Sequence, residues 1–442
     1  MSYLAAIDQL NAMVPELYTA TGKPRRKFSL AEIRILLAAL GDPHRRFASV
    51  LIAGTNGKGS TAATLASILT ASGLRTGLYT SPHLARVNER IRLDRSEITD
   101  EVFAGLYFRV HNTAQQLVQD GRLPQLPSFF EILTAQALLY FAETGVNIAV
   151  LEVGMGGRLD ATNVVDPLVS IVTDISLDHT EWLGSSIAAI AREKAGILRR
   201  NGTLVTLPQH PDANQVLGEV AAELDVRGVS AGAFIPQLGS GSTGAYIVEA
   251  LDAPVLVDSP LIGEHQCRNV ALAIAAAVEL ASKHGLAITS ASIEDGIRQT
   301  RWPGRLEHID RGGVEWILDV AHNPAGAWAL RAGVRNELEA KQPRTLVFSC
   351  LRDKPVAEMA QILFPLFDEI VFAPLHAARA ASLGDLETAA RATGAHAVAV
   401  SSVGQALELA TQKSQGGVVV VSGSVYLVGE ARSLILAGDG TI

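Results

Sequence analysis

The run "VLIAGTNGKGSTAATLASIL", Val50 to Leu69, constrains this chain more than any other stretch. A β-branched apolar segment stops at a glycine-rich turn carrying one lysine. A helical pattern with Leu65, Ile68 and Leu69 on one face starts immediately afterwards. Strand, turn and helix in that order make a phosphate cradle. Glycines let backbone N–H groups approach an anion, the helix N-terminus favours negative charge, and the lysine reaches the outer phosphates. Gly54, Gly57, Lys58 and Gly59 fit these roles. The spacing departs from the common pattern: Gly54 lies three residues before Gly57, and Gly59 stands where Ser or Thr usually follows the lysine. Ser60 and Thr61 offer hydroxyls one step later. A glycine turn without function is the alternative reading.

Around this feature the chain alternates β-branched runs with helical segments. "SVLIAG", "RTGLYTS", "VNIAVLEVG", "LVSIVTDIS" and "GTLVTL" read as strands, "PSFFEILTAQALLYFAE" as a buried helix, and a further helix runs through Lys194. Such alternation implies an α/β fold, with a parallel sheet and helices on both faces. Residues 226–262 break the rhythm. "GAYIVEALDAPVLVD" alternates with a period of two and reads as a β-rich insertion, after which "HQCRNVALAIAAAVELASKHG" returns as a long helix. "RQTRWPGRLEHI" reads as a connector. Five further strands follow, "VEWILDV", "RTLVFSC", "EIVFAPL", "HAVAVSS" and "GVVVVSG", enough for a compact second α/β domain. The expected division is 1–299 and 300–442.

In doubly wound sheets ligands sit outside the carboxyl ends of strands. Ser81, Glu152 and His179 each follow an apolar run and can share one crevice with Ser60. A nucleotide triphosphate needs Mg²⁺, which takes oxygen ligands, and Glu152 has the layout of a coordinating acid. Pairing of Glu152 with Arg158 is the plainer alternative, and a purely structural role is the alternative for His179. "GSGSTG", Gly239 to Gly244, matches the dinucleotide fingerprint, but the next residues alternate like a strand instead of opening a helix, so a nicotinamide site is rejected.

Bulk properties exclude several classes. The net charge of −8, from 37 basic and 45 acidic residues, makes the chain a poor general binder of nucleic-acid backbone. The short basic cluster Lys23–Phe28 reads as a solvated loop. No run of about 18 apolar residues suggests a membrane span, and the N-terminal residues lack a basic secretory n-region. The two cysteines, Cys267 and Cys350, form no metal-type pair and fit a reducing cytoplasm.

In order along the chain, "GTNGKGST", "YTSPHLARVNERI", "LEVGMGGRLDATN", "DHTEWLG", "REKAGIL", "HQCRN", "RWPGRLE", "AHNP" and "SGSVYLVGE" resemble the folylpolyglutamate synthase family, relatives of the Mur ligases. The resemblance covers about residues 20–430. It implies a Mur-ligase-like P-loop ATPase domain followed by a smaller Rossmann-like α/β domain. It also implies ATP-dependent ligation of L-glutamate to a folate carboxylate through an acyl phosphate, in a cytoplasmic monomer acting on small molecules.

The family's roles carry over by position. Gly54, Thr55, Asn56, Gly57, Lys58, Gly59, Ser60 and Thr61 would bind the triphosphate. Ser81, Glu152 and His179 would hold Mg²⁺. Lys194 resembles a carbamylated lysine supporting a second ion, although sequence alone makes it an ordinary helix-surface lysine. A monovalent cation is a further candidate cofactor. Asn269 would meet adenine and Arg305 the γ-phosphate. Asp319 and His322 would serve ribose and incoming glutamate, joined by Ser424. Valine stands at 320 where the family usually has glycine. "GGRLDATN", at Arg158 and Asp160, resembles the bifunctional bacterial type that also glutamylates dihydropteroate. Phe129 and Phe130 would stack on a pterin, or alternatively pack in the core.

Rival readings are a ligase of the monofunctional type, a Mur ligase of peptidoglycan precursors, a nucleotide switch or other non-catalytic nucleotide-binding module, and an inactive folate binder. The glycine after Lys58 and "TSPHL" favour the folate branch. No N-K-x-D run supports a GTPase switch. Lys58, Glu152, His179 and Lys194 together argue against an inactive relative.

Overall fold

The computed structural model describes residues 2–13, 29–236, 244–375, 377 and 379–437. The basic cluster Lys23–Phe28 and all of "GSGSTG" except Gly244 lie outside them.

The first sheet has eight strands: β1 (Ala48–Ala53), β2 (Thr76–Tyr79), β3 (Ile91–Leu93), β4 (Ser96–Glu97), β5 (Ile148–Glu152), β6 (Val169–Val172), β7 (Thr203–Thr206) and β8 (Arg227–Ser230). Their spatial order is β4-β3-β2-β5-β1-β6-β7-β8. From β2 to β8 all pairings are parallel, while β3 and β4 form an antiparallel edge. Every residue of β5 and β6 is buried, as expected for strands covered on both faces. One apolar layer includes Leu51, Leu151, Phe141 and Phe130; the other includes Val50, Val150, Leu65 and the helix Glu264–His284. Strands β3 and β4, of three and two residues, are too short to leave an alternating pattern in the sequence.

The expected β insertion divides in two. Strand β8 joins the first sheet in parallel beside β7, so residues 227–230 belong to the main rhythm. Only β9 (Tyr246–Ala250) and β10 (Ala253–Val257) form a separate antiparallel hairpin. Its turn places Leu251 and Asp252 at φ 54° and 59°, which suits the right-handed twist of two tightly joined strands.

The second sheet contains β11 (Glu307–Arg311), β12 (Val314–Leu318), β13 (Arg344–Phe348), β14 (Glu369–Phe372), β15 (Ala397–Ala399) and β16 (Val418–Ser422), ordered β11-β12-β16-β13-β14-β15. It has one strand more than expected. The end of the presumed connector becomes β11, an antiparallel edge strand whose half-buried, partly charged sequence concealed it. Asp319 N–H donates to Val421 O at 3.1 Å, and Ser422 lies opposite Phe348. The carboxyl ends of β12, β16 and β13 therefore adjoin.

Candidate active site

Register gathers the first half of the site. Ile52 of β1 faces Glu152 of β5, and Ala53 faces Val172 of β6. The turn after β1 therefore rises between Glu152 and Thr173–Asp174. Thr55 and Asn56 N–H donate to Asp174 O at 2.9 and 3.3 Å, and Thr173 Oγ1 donates to Asn56 O at 2.7 Å. Two glycines are required here. At Gly54, with φ 153°, a Cβ would lie 1.7 Å from Thr173 Oγ1; at Gly57, with φ 88°, it would lie 2.1 Å from Asn269 Oδ1. The helix Lys58–Ala71 begins without a side-chain cap and has no acid in its first turn, so its positive end is available to an anion.

A cleft of about 470 Å³ opens at this turn. It is lined by every residue from Gly54 to Ser60, by Ser81, Glu152, His179, Lys194 and Asn269, and across it by Arg305, Asp319 and His322. A second cavity of about 520 Å³ is lined by Leu10, Met13, Phe129, Phe130, Ser424 and Tyr426, with Arg90, Lys354 and Arg379. Ser81, His179 and His322 line both, so the two spaces meet there.

Burial sets the charge states. Glu152 is buried and accepts from Ser81 N–H at 3.0 Å. Desolvation raises its pKa, opposed by Lys58, the Ser81 bond and Arg305. Lys194 is buried, donates from Nζ to Gly54 O at 2.6 Å, and is pushed down to about 7 by burial and then by Lys58. An amine near neutrality is partly unprotonated at physiological pH, which an exposed helix lysine is not. Lys58 Nζ donates to Thr55 O at 3.1 Å, at the helix start.

On the opposite wall, Asp319 accepts from Leu306 and Ala321 N–H at 3.0 and 2.9 Å, and burial raises its pKa against the pull of Arg305 and His265. His322 Nδ1 lies 2.8 Å from Val320 O. A carbonyl only accepts, so Nδ1 carries the proton and Nε2 keeps its lone pair, 3.9 Å from Asp178 Oδ2. Burial, with Lys354 next, pushes His322 down to about 4. His179 is likewise lowered to about 4, chiefly by burial.

The strand-end residues not singled out from the sequence are informative. Lys354 Nζ, from the wall of the second cavity, donates at 2.6 Å to Asp178 Oδ1, from the wall of the nucleotide cleft, with both side chains buried. Burial works against the Asp178 carboxylate, yet His179, Lys354 and His322 together hold its pKa well below the usual range. Asn323 Nδ2 donates to Asn56 Oδ1 at 3.0 Å, tying the second sheet's loop to the phosphate turn. Lys354 follows β13 as Ser81 follows β2, so the strand-end rule applies to it as well.

Three expected residues lie elsewhere. Thr61 is fully buried and donates to Asn269 O at 3.3 Å, behind the turn and not in the cleft wall. Arg158 is exposed and pairs with Glu193 at 2.9 Å; it lines neither cavity and does not pair with Glu152. Asp160 accepts from Met155 N–H and Thr162 N–H, both at 3.0 Å, and so braces the loop after β5 instead of facing a ligand. Val320 keeps a negative φ and donates to Gly304 O at 3.1 Å, so the backbone there does not require glycine.

Mg²⁺ binds through few protein oxygens plus water and phosphate. Buried Glu152, whose anionic form a cation would favour, sits with Ser60 and Ser81 on one cleft. These residues fit an ion brought in with a nucleotide. They do not form a protein cage: among the described residues, no group of three or more His, Cys, Asp or Glu is placed to hold a metal.

Comparison with known proteins agrees with this architecture. Residues 52–277 match the Mur ligase middle domain and residues 304–425 the Mur ligase glutamate ligase domain. Within that class, the chain is 34% identical to the folylpolyglutamate synthase of Lacticaseibacillus casei, over 99% of this chain and 100% of that one. It is 34% identical to the dihydrofolate synthase/folylpolyglutamate synthase of Bacillus subtilis, over 92% and 94%. The structure of Mycobacterium tuberculosis folylpolyglutamate synthase complexed with ADP and AMPPCP superposes with a TM-score of 0.87 at 32% identity, covering 99% and 100% of the two chains. The chain belongs to the folylpolyglutamate synthase family of Mur ligases.

Proposed function

We propose that this chain is an ATP-dependent ligase that joins L-glutamate to dihydropteroate and to the glutamate tail of folates, releasing ADP and phosphate. The observation that carries the reading is the junction of two cavities. One is a glycine-walled anion cleft; the other is apolar, with Phe129, Phe130, Leu10 and Met13; they meet at Ser81, His179 and His322. A triphosphate in the first and a ring with a carboxylate tail in the second would bring the reacting groups together.

The chemistry follows from charge. A carboxylate and a triphosphate repel each other, so Lys58, Arg305 and the helix N-terminus offset negative charge as the carboxylate oxygen bonds to the γ-phosphorus and ADP departs. The amine of glutamate then bonds to the acyl carbon, phosphate leaves, and an amide remains. His322, whose Nδ1 proton is held by Val320 O, offers its Nε2 lone pair as a hydrogen-bond acceptor that would orient the incoming amine. Mg²⁺, held through Glu152, Ser60 and Ser81 with His179 at the margin, would supply further charge neutralisation on the phosphates. Lys194, as a partly neutral amine, is suited to carbamylation by CO₂, which would give a carboxylate for a second ion. Asn269 would face the adenine end and Asp319 the ribose; no residue here is assigned to a monovalent cation.

The working division is 1–299 for the nucleotide and folate half and 300–442 for the glutamate half. A cytoplasmic monomer is the form we expect. Among the described residues no helix is long and apolar enough to cross a membrane.

Arg158 and Asp160 lie outside both cavities, which favours a second reading: extension of folates without use of dihydropteroate. Labelled L-glutamate incorporation, run with dihydropteroate and with tetrahydrofolate, tests both. Incorporation into both acceptors supports the first reading, and into tetrahydrofolate alone the second. ATP hydrolysis with neither acceptor glutamylated overturns both and points to Mur-type acceptors.

A further inference from the structure

The second cavity has a charge pattern unlike the chain as a whole. The protein is net acidic at −8, yet among the described residues the cavity wall contains Arg90, Lys354 and Arg379 and no aspartate or glutamate. Two of these cations are already engaged. Arg90 donates to His83 Nδ1 at 2.9 Å and lies over the Phe129 ring at 5.3 Å. Lys354 is bonded to Asp178 at 2.6 Å.

Arg379 differs from both. Among the described residues its one ionic partner is Asp353, at 3.5 Å, and its side chain is 34% exposed. Its backbone is nevertheless fixed: Arg352 N–H donates to Arg379 O at 2.8 Å, and Leu351 bridges Ala380. It lines the second cavity and not the nucleotide cleft. The wall therefore combines the rings of Phe129 and Phe130, from the helix Phe129–Thr144, with the guanidinium of Arg379, from the loop after β14.

A ligand complementary to this wall has an aromatic head and an anionic tail. Glutamate carries two carboxylates. Once it is joined through its amine and extended through one of them, each internal residue retains one unreacted carboxylate. A guanidinium is the side chain best matched to such a group, because its planar fork donates two parallel hydrogen bonds.

We propose that Arg379 forms a carboxylate subsite for glutamyl residues already present in the acceptor tail. This rests on the ligase reading above. The incoming glutamate is assigned elsewhere, because its amine must reach the junction at Ser81, His179 and His322.

The test compares Arg379→Ala with the parent chain on folate acceptors bearing one, two and three glutamyl residues, and determines KM for each acceptor and for L-glutamate. The expected result is a rise of about tenfold in the KM ratio of triglutamyl to monoglutamyl acceptor, the size of one lost charge-assisted bond. Arg379→Lys should recover part of it, since charge is kept and the fork is lost. Identical acceptor ratios in parent and variant would overturn the subsite while leaving the ligase reading intact. A rise confined to KM for L-glutamate would overturn it too, by assigning Arg379 to the incoming amino acid. Absence of turnover in the parent with every acceptor would instead remove the ligase reading on which the subsite depends.

Discussion

The two cavities share Ser81, His179 and His322 but are built differently. The nucleotide cleft has as its core one continuous turn, Gly54 to Ser60, clamped by backbone hydrogen bonds to Asp174. Seven consecutive residues, 54 through 60, line it. Among the described residues the second cavity has no run of that length, drawing instead on Leu10, Phe129, Lys354 and Tyr426 from four distant parts of the chain. Anion binding needs backbone N–H groups in fixed geometry, which a short local motif can provide. Recognition of a large amphipathic ligand needs area, which only the assembly of several elements provides.

The comparison breaks first at the cleft. Lys58→Ala should reduce turnover at least about 100-fold while thermal stability is retained, because charge offset at the transferring phosphate is lost and the buried core is untouched. Wild-type rates in that variant would end the ATP-ligase reading. Gly57→Ala should abolish nucleotide binding measured by calorimetry, since its Cβ would lie 2.1 Å from Asn269 Oδ1 at a positive φ.

Next in size is the bridge between the halves. Lys354→Met leaves Asp178 buried without its closest cation, and removal of one partner from a buried pair costs about 3–5 kcal/mol. A loss of stability of that order is expected in denaturant unfolding. A neutral result would mean that the pair opens readily in solution.

The histidines at the shared wall give a smaller, pH-dependent effect. His179 and His322 are lowered from 6.5 to about 4. Between those values the unfolded chain binds more protons than the folded one, so stability should fall as pH drops from about 6.5 towards 4. Asp178, with its pKa depressed, adds a further loss in the window below the ordinary carboxylate value. His179→Gln should flatten the dependence of Tm on pH in the upper window; an unaltered slope would show that this ring is not protected from protonation.

The smallest effect is expected at Arg158. Arg158→Ala removes an exposed pair with Glu193, worth at most about 1 kcal/mol. Acceptor KM should stay within about twofold, and a larger change would return Arg158 to the substrate site.

These contrasts follow what was legible in the sequence. The phosphate turn could be read because its glycines, lysine and flanking periodicities are contiguous. Glu152 and His179 could be placed near it because parallel strands bring their carboxyl ends to one edge. Thr61 could not be separated from Ser60 by pattern: one residue of helical rotation, about 100° in a 3.6-residue turn, carries a hydroxyl from cleft to core. Asp160 looks like a site acid in "GGRLDATN", yet its loop consumes the carboxylate in its own hydrogen bonds. Strands β3 and β4 are very short and β11 is a half-polar edge, and in such strands one-dimensional patterning is weakest.

The sequence alone determined the α/β class, the nucleotide turn and the family to which the chain belongs, because local backbone requirements and ordered motifs are written residue by residue. The tertiary structure decided which charges face each other. It buried Lys194 beside Lys58, joined Lys354 of the second half to Asp178 of the first, and left Arg379 as the lightly paired cation of the second cavity. Those outcomes depend on desolvation and through-space distance, and neither quantity exists until the two sheets are folded against each other.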